Sequence, residues 1–97
     1  MITPANLLQH ELIGMPVRVS DSADRKQAGM SGKVVDETKN MLVIEGNDGR
    51  TLRIPKLGRT FRFSLKGLKC EARGRDFAFH PVERVRRCAG KRVRIVR

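Results

Sequence analysis

The sequence predicts an all-β protein, a small antiparallel barrel or sandwich of six or seven short strands, with a short helix ahead of it and a basic tail behind. Three observations predict it. Apolar and polar residues alternate, the period of a half-buried strand, in successive runs between Met15 and His80. The runs are separated by a few residues rich in Gly, Asn and Asp, which tolerate the backbone angles of tight turns. And 97 residues, 39% of them hydrophobic, suffice for one modest core. Closing such a sheet would remove its exposed edges.

Each element has its own signature. Residues 3–13 read as a helix, with Thr3 as N-cap, Pro4 at the first helical position and Gly14 as the left-handed residue that ends it. Leu7, Leu8, Leu12 and Ile13 are its apolar stripe, which reads as core-facing or as extending onto a partner. Met15, Val17 and Val19 then alternate with Pro16, Arg18 and Ser20 as a first strand, and residues 21–28 form a polar loop. Gly29–Thr38 is strand-like, and Gly32 inside it marks a sharp bend or a close backbone approach. Lys39-Asn40 turns the chain into Met41–Glu45, with Leu42 and Ile44 inward. Gly46-Asn47-Asp48-Gly49 is the clearest hairpin turn. Arg50–Lys56 follows, with Leu52 and Ile54 inward and Pro55 ending the strand or marking an edge. Arg59–Leu65 places Phe61, Phe63 and Leu65 on one face, and Gly67 turns the chain into Leu68–Arg73. Residues 74–76 turn it again into Phe77–His80, and Val82–Arg87 reads as a short helical turn. Residues 1–87 thus form one domain. Residues 88–97, with Lys91, Arg92, Arg94 and Arg97, read as a mobile tail, and Val93, Ile95 and Val96 leave open that it orders on binding.

Charge narrows the function. Residues 1–49 carry 5 Lys/Arg against 7 Asp/Glu, whereas residues 50–97 carry 16 against 3. A formal net charge of +11, segregated in this way, suits a surface facing a polyanion. The alternative is a basic but inert solvated face. No apolar run is long enough to span a bilayer, and the N-terminus lacks the pattern of a secretory signal, so an intracellular, cytoplasmic protein is expected. Cys70 and Cys88, with His10 and His80, lack zinc-ligand spacing. Both cysteines read as free thiols, Cys70 in the core and Cys88 exposed, with a disulfide between them as the alternative.

Catalytic chemistry is not visible. Asp36 and Glu37 are adjacent on a strand and point to opposite faces, which suits turn or surface roles. His80, beside Pro81, reads as structural, and no phosphate-binding Gly-rich loop is present. The basic residues are better organised. Arg53, Arg62, Lys69 and Arg73 point away from the apolar face of their strands and would approach one another if those strands were neighbours. Lys56, Arg59, Lys66 and Arg75 add to them from loops, and Arg84, Arg86 and Arg87 from the helical turn. With no Tyr or Trp and all four Phe inward or at strand ends, a base-stacking platform is missing. Recognition of a folded RNA through its shape and phosphates is therefore expected, with duplex DNA left open by charge alone.

A set of ordered motifs carries a resemblance. LQHELIGMPVRV at Leu8–Val19, GMSGKVVDETKN at Gly29–Asn40, Leu42 and Ile44, Ile54-Pro55-Lys56 with Phe61 and Phe63, then Gly74, Phe77 and Pro81–Arg84 together resemble archaeal ribonuclease P protein component 1, related to the 29-kilodalton subunit of the eukaryotic enzyme. At Pro81–Arg84 the chain reads Pro-Val-Glu-Arg, where archaeal relatives often have Pro-Glu-Asp-Arg. The resemblance implies an Sm-like, strongly bent antiparallel barrel. It also implies a subunit of the ribonucleoprotein that removes the 5′ leader of precursor tRNA. There the RNA carries the catalytic magnesium, and the protein stabilises that RNA and, indirectly, precursor tRNA binding, with no cofactor of its own. It further implies a zinc-ribbon protein partner, for which Leu7, Leu8, Leu12 and Ile13 are the matching residues. A ribosomal or translation-associated barrel is the alternative on physics alone, and an autonomous small nuclease a third reading.

Overall fold

The computed structural model describes residues 2–22 and 24–96; Arg97 of the expected tail lies outside them. Seven strands form one antiparallel sheet: β1 (Pro16–Ser22), β2 (Ser31–Glu37), β3 (Met41–Gly46), β4 (Thr51–Pro55), β5 (Arg59–Leu65), β6 (Leu68–Arg73) and β7 (Arg94–Val96). Their order across the sheet is β4-β3-β2-β1-β5-β6-β7. One helix, α1 (Pro81–Arg87), follows a 3-10 turn at Gly74–Asp76.

The sheet bends strongly around its own inner face without closing. β4 and β7 remain edges, so the expected closure does not occur. Irregular register between Val19 and Asp21 on β1, and between Val34 and Asp36 on β2, supplies the bend. Gly32 lies in the same region: a Cβ there would sit 2.0 Å from the Glu45 carbonyl oxygen, so its close backbone approach is a steric requirement. Inside the curve, Val17, Val19, Val34, Leu42, Ile44 and Ile54 are buried around Phe61, Phe63 and Phe77. The rings of Phe61 and Phe77 meet edge to face at 5.7 Å, as do those of Phe63 and Phe77 at 6.1 Å.

Several expectations are corrected. The N-terminal segment is not a helix; it makes only a 3-10 turn at Leu7–Gln9. The carbonyls of Leu8 and His10, which helical bonds would need, accept from Arg84, and the Gly14 N–H donates to Val34 at 2.7 Å. Leu52 is 45% exposed, because β4 is an edge and the core ends at Ile54. Phe77–His80 forms no strand: the carbonyls of Phe77 and Phe79 both accept from Lys56. Part of the segment read as a mobile tail is instead built in. β7 pairs with β6, Val93 is buried, and its N–H donates to the Pro4 carbonyl at 3.0 Å. Cys88 is buried rather than exposed, its Sγ 3.5 Å from the Asp76 carbonyl. Cys70 is a free thiol in the core, as expected.

Candidate nucleic-acid interface

Alternation on three adjacent strands, β1, β5 and β6, builds the outer face. Val17 and Val19 are buried on β1, so Arg18 between them is exposed; Phe61 and Phe63 likewise turn Arg62 outward on β5. Arg18 pairs with Arg62, Arg62 with Glu71 on β6, and Glu71 with Arg94 on β7. The Arg62 Nε donates to Glu71 Oε1 at 3.1 Å. Lys69 stands opposite Ser64, one step along the same face. Between these strands runs a groove of about 490 Å³, lined by Arg18, Arg62, Lys69, Ser31, Asn47 and Ser64 among others. Lys66 occupies the exposed β5–β6 turn.

A second basic depression, of about 180 Å³, lies at the other end of β5 and is lined by Gly58, Arg59, Thr60, Arg73 and Arg75. Arg59 is fixed there, its Nε donating to Gln27 at 3.0 Å and its Nη1 to the Leu57 carbonyl at 2.9 Å. Arg86 and Arg87 are exposed on α1. The Arg87 guanidinium and the Lys91 ammonium lie 5.7 and 5.4 Å from the centre of the Phe79 ring.

Three expectations about this surface are corrected. Arg53 is exposed but does not join Arg62 and Lys69, because β4 is the far edge, with β3, β2 and β1 between it and β5. Lys56 and Arg84 are not on the surface at all: they are 0% and 1% exposed, so no phosphate reaches them. Glu37, expected at a turn or surface, is 7% exposed and holds both. Its Oε2 accepts from Lys56 Nζ at 2.9 Å and Arg84 Nε at 2.8 Å, and its Oε1 from Arg84 Nη2 at 2.9 Å. Burial pushes the Lys56 ammonium below its ordinary pKa of 10.5, against the pull of Glu37. Two buried cations share one carboxylate, and backbone carbonyls of Leu8, His10, Phe77 and Phe79 complete the shell.

The expected partner stripe also divides. Leu7, Leu8 and Leu12 are core residues, at most 2% exposed, while Ile13 is 47% exposed. Val82 and Val85 on α1, at 72% and 45%, are further exposed apolar side chains that the sequence reading did not single out. Arg18 was missed too, although the Val17–Val19 alternation signals its outward direction; it lies in the acidic half, away from the charge excess. Among the described residues no three His, Cys, Asp or Glu side chains converge as a metal site, and no helix is long and apolar enough to cross a membrane.

The fold and the site define the class: a small, strongly bent antiparallel sheet with an arginine-rich outer face and a buried ion-pair centre. Sequence and structure comparisons identify the family. The family described as Ribonuclease P/MRP, subunit p29 matches residues 5–87, and the chain belongs to it. It is 48% identical over 87 residues to Ribonuclease P protein component 1 of Methanocaldococcus jannaschii, covering 90% of this chain and 92% of that protein. The protein of the same name from Methanothermobacter thermautotrophicus is 46% identical over 88 residues, covering 90% and 95%. Among solved structures, Mth11, a homologue of the human RNase P protein Rpp29, superposes with a TM-score of 0.58 at 45% identity, covering 76% of this chain and 96% of that one. These relatives support the ribonuclease P role and give no support to the ribosomal alternative.

Proposed function

We propose that this chain is a non-catalytic, RNA-binding subunit of ribonuclease P, acting in the removal of the 5′ leader of precursor tRNA. The observation that carries the reading is the conjunction of family membership with an outer face on which Arg18, Arg62, Lys69 and Arg73 are presented by paired strands. Cations on strands neutralise phosphates at fixed spacing without reading bases, as suits stabilising a folded RNA. In this reading the RNA subunit binds the catalytic magnesium, precursor tRNA is engaged indirectly, and the assembly works in the cytoplasm. A zinc-ribbon subunit would dock on exposed apolar residues such as Ile13, Val82 and Val85, since Leu7, Leu8 and Leu12 are occupied in the core. Reconstitution of the RNA with its protein set at limiting magnesium tests the function. Omission of this chain is expected to slow cleavage and change the RNA footprint; unchanged cleavage and footprint would overturn the reading.

A further inference from the structure

Arg18, Arg62, Glu71 and Arg94 form one row across β1, β5, β6 and β7, each directly opposite the next. Neighbouring strands lie about 4.8 Å apart. Arg18 and Arg62 are therefore like charges directly opposite each other, an arrangement that costs free energy in a sheet. Arg62 is anchored by Glu71, whose other oxygen lies 3.9 Å from Arg94 Nη1. The Glu71 side chain is 19% exposed against 39% for Arg62, so the anchor is the more buried partner. No ion pair with a carboxylate holds Arg18 among the described residues. The groove beside the pair adds Lys69, two serines and an asparagine, and no Asp or Glu lines it.

We propose that this groove is a receptor for one phosphodiester group of an RNA backbone, and that Glu71 is a positioning residue for it. The proposal rests on the RNA-binding reading above and locates its site. An anion between Arg18 and Arg62 converts their repulsion into two attractions. Arg62 donates its Nε to Glu71, which leaves both terminal nitrogens to bind phosphate oxygens as a bidentate pair. Lys69 supplies a third charge, and the hydroxyl and amide groups supply neutral donors. No aromatic side chain lines the groove, so the contact is to backbone and not to a stacked base. Glu71 thereby lowers the attraction of this face for any polyanion while holding one cation in place for a particular one.

That opposition of signs provides the test. The full chain and its Arg18→Ala, Lys69→Ala and Glu71→Gln variants are titrated against ribonuclease P RNA and against an unrelated RNA duplex over a salt series. Arg18→Ala and Lys69→Ala are each expected to flatten the log–log salt slope on ribonuclease P RNA by roughly 0.7–0.9. Glu71→Gln is expected to tighten binding to the unrelated duplex, because it removes a negative charge, yet to weaken binding to ribonuclease P RNA about tenfold, the order of a lost charge-assisted contact. Equal tightening on both RNAs would overturn the positioning role. Unchanged slopes for Arg18→Ala and Lys69→Ala would overturn the receptor. If the unaltered chain binds neither RNA, the RNA-binding reading itself falls. Amide shifts on titration with inorganic phosphate then decide the groove alone: saturable shifts at Val17–Val19 and Arg62 that Arg18→Ala abolishes uphold it, and their absence removes it. Should Glu71→Gln fail to fold by circular dichroism, the variants at Arg18 and Lys69, both exposed, carry the decision.

Discussion

Replacing Glu37 by Gln leaves the shape of the core almost unchanged and removes its only buried carboxylate among the described residues. Lys56 and Arg84 would then be two cations, 0% and 1% exposed, with no counter-charge. Breaking a buried pair by removing one partner costs about 3–5 kcal/mol. A domain of this length has a total stability of about 5–15 kcal/mol. At about 4 °C per kcal/mol, the melting temperature should fall by about 12–20 °C. Lys56→Met should cost less, because it leaves a neutral Glu37–Arg84 pair and orphans only the carbonyls of Phe77 and Phe79. Calorimetry with matched urea titrations measures both, with exposed Lys66→Met as control. The pH dependence adds an independent check. Because burial lowers the Lys56 pKa in the folded chain below 10.5, the unfolded chain binds more protons over the interval between the two values. This residue's contribution to stability therefore rises with pH through that interval, and Lys56→Met should remove the rise. A Glu37→Gln protein melting within a few degrees of the unaltered one would refute the reasoning, since the two cations would then have to be solvated or neutral in the fold.

Gly32→Ala and Gly74→Ala should each destabilise by at least about 1–3 kcal/mol, because the new Cβ would fall 2.0 Å from the Glu45 oxygen and 1.6 Å from the Lys56 oxygen, both backbone atoms. Denaturant titration measures this, and wild-type stability in either variant would contradict the close approach. Cys70 and Cys88 are buried with thiol pKa values pushed up by that burial, so a thiol reagent should label neither in the folded chain and both in urea. Rapid native labelling of Cys88 would instead restore it to an exposed tail. Deleting residues 93–96 should lower stability and expose the β6 edge to hydrogen exchange, since it removes buried Val93 and the β7 ladder.

What was legible in the sequence was local parity. The alternation around Phe61 and Phe63 located β5 to the residue, and Gly32 announced the backbone approach that bends the sheet. Lys56 was also legible: it follows Ile54 at spacing two and so shares the inner face, although beyond Pro55 it reads as one of the loop cations. Glu37 was hidden by the irregular register between Val34 and Asp36, which shifts every later side chain on β2. Arg53 was misplaced because sequence order does not reveal that β1 lies between β2 and β5. The N-terminal segment had helical capping signals, yet Arg84, more than seventy residues away, takes the carbonyls a helix would use. There a non-local contact overrode a local preference.

The charge split has a consequence that tests fold and function with one variable. A formal net charge of +11 on 97 residues works against compaction through self-repulsion. The chain sequesters two cations at Glu37, where mobile ions screen little, and leaves Arg18, Lys69, Arg73 and Arg75 exposed, where they screen well. Added salt should therefore raise the melting temperature of the free protein, by relieving repulsion on the exposed face while the buried cluster keeps its strength. The same salt should weaken RNA binding, because released counterions no longer favour the complex. The two responses must have opposite signs over the same concentration range. A free protein that loses stability as salt is added would mean that its exposed charges are net attractive. The outer face would then be a network of mutual ion pairs rather than a surface held ready for phosphate.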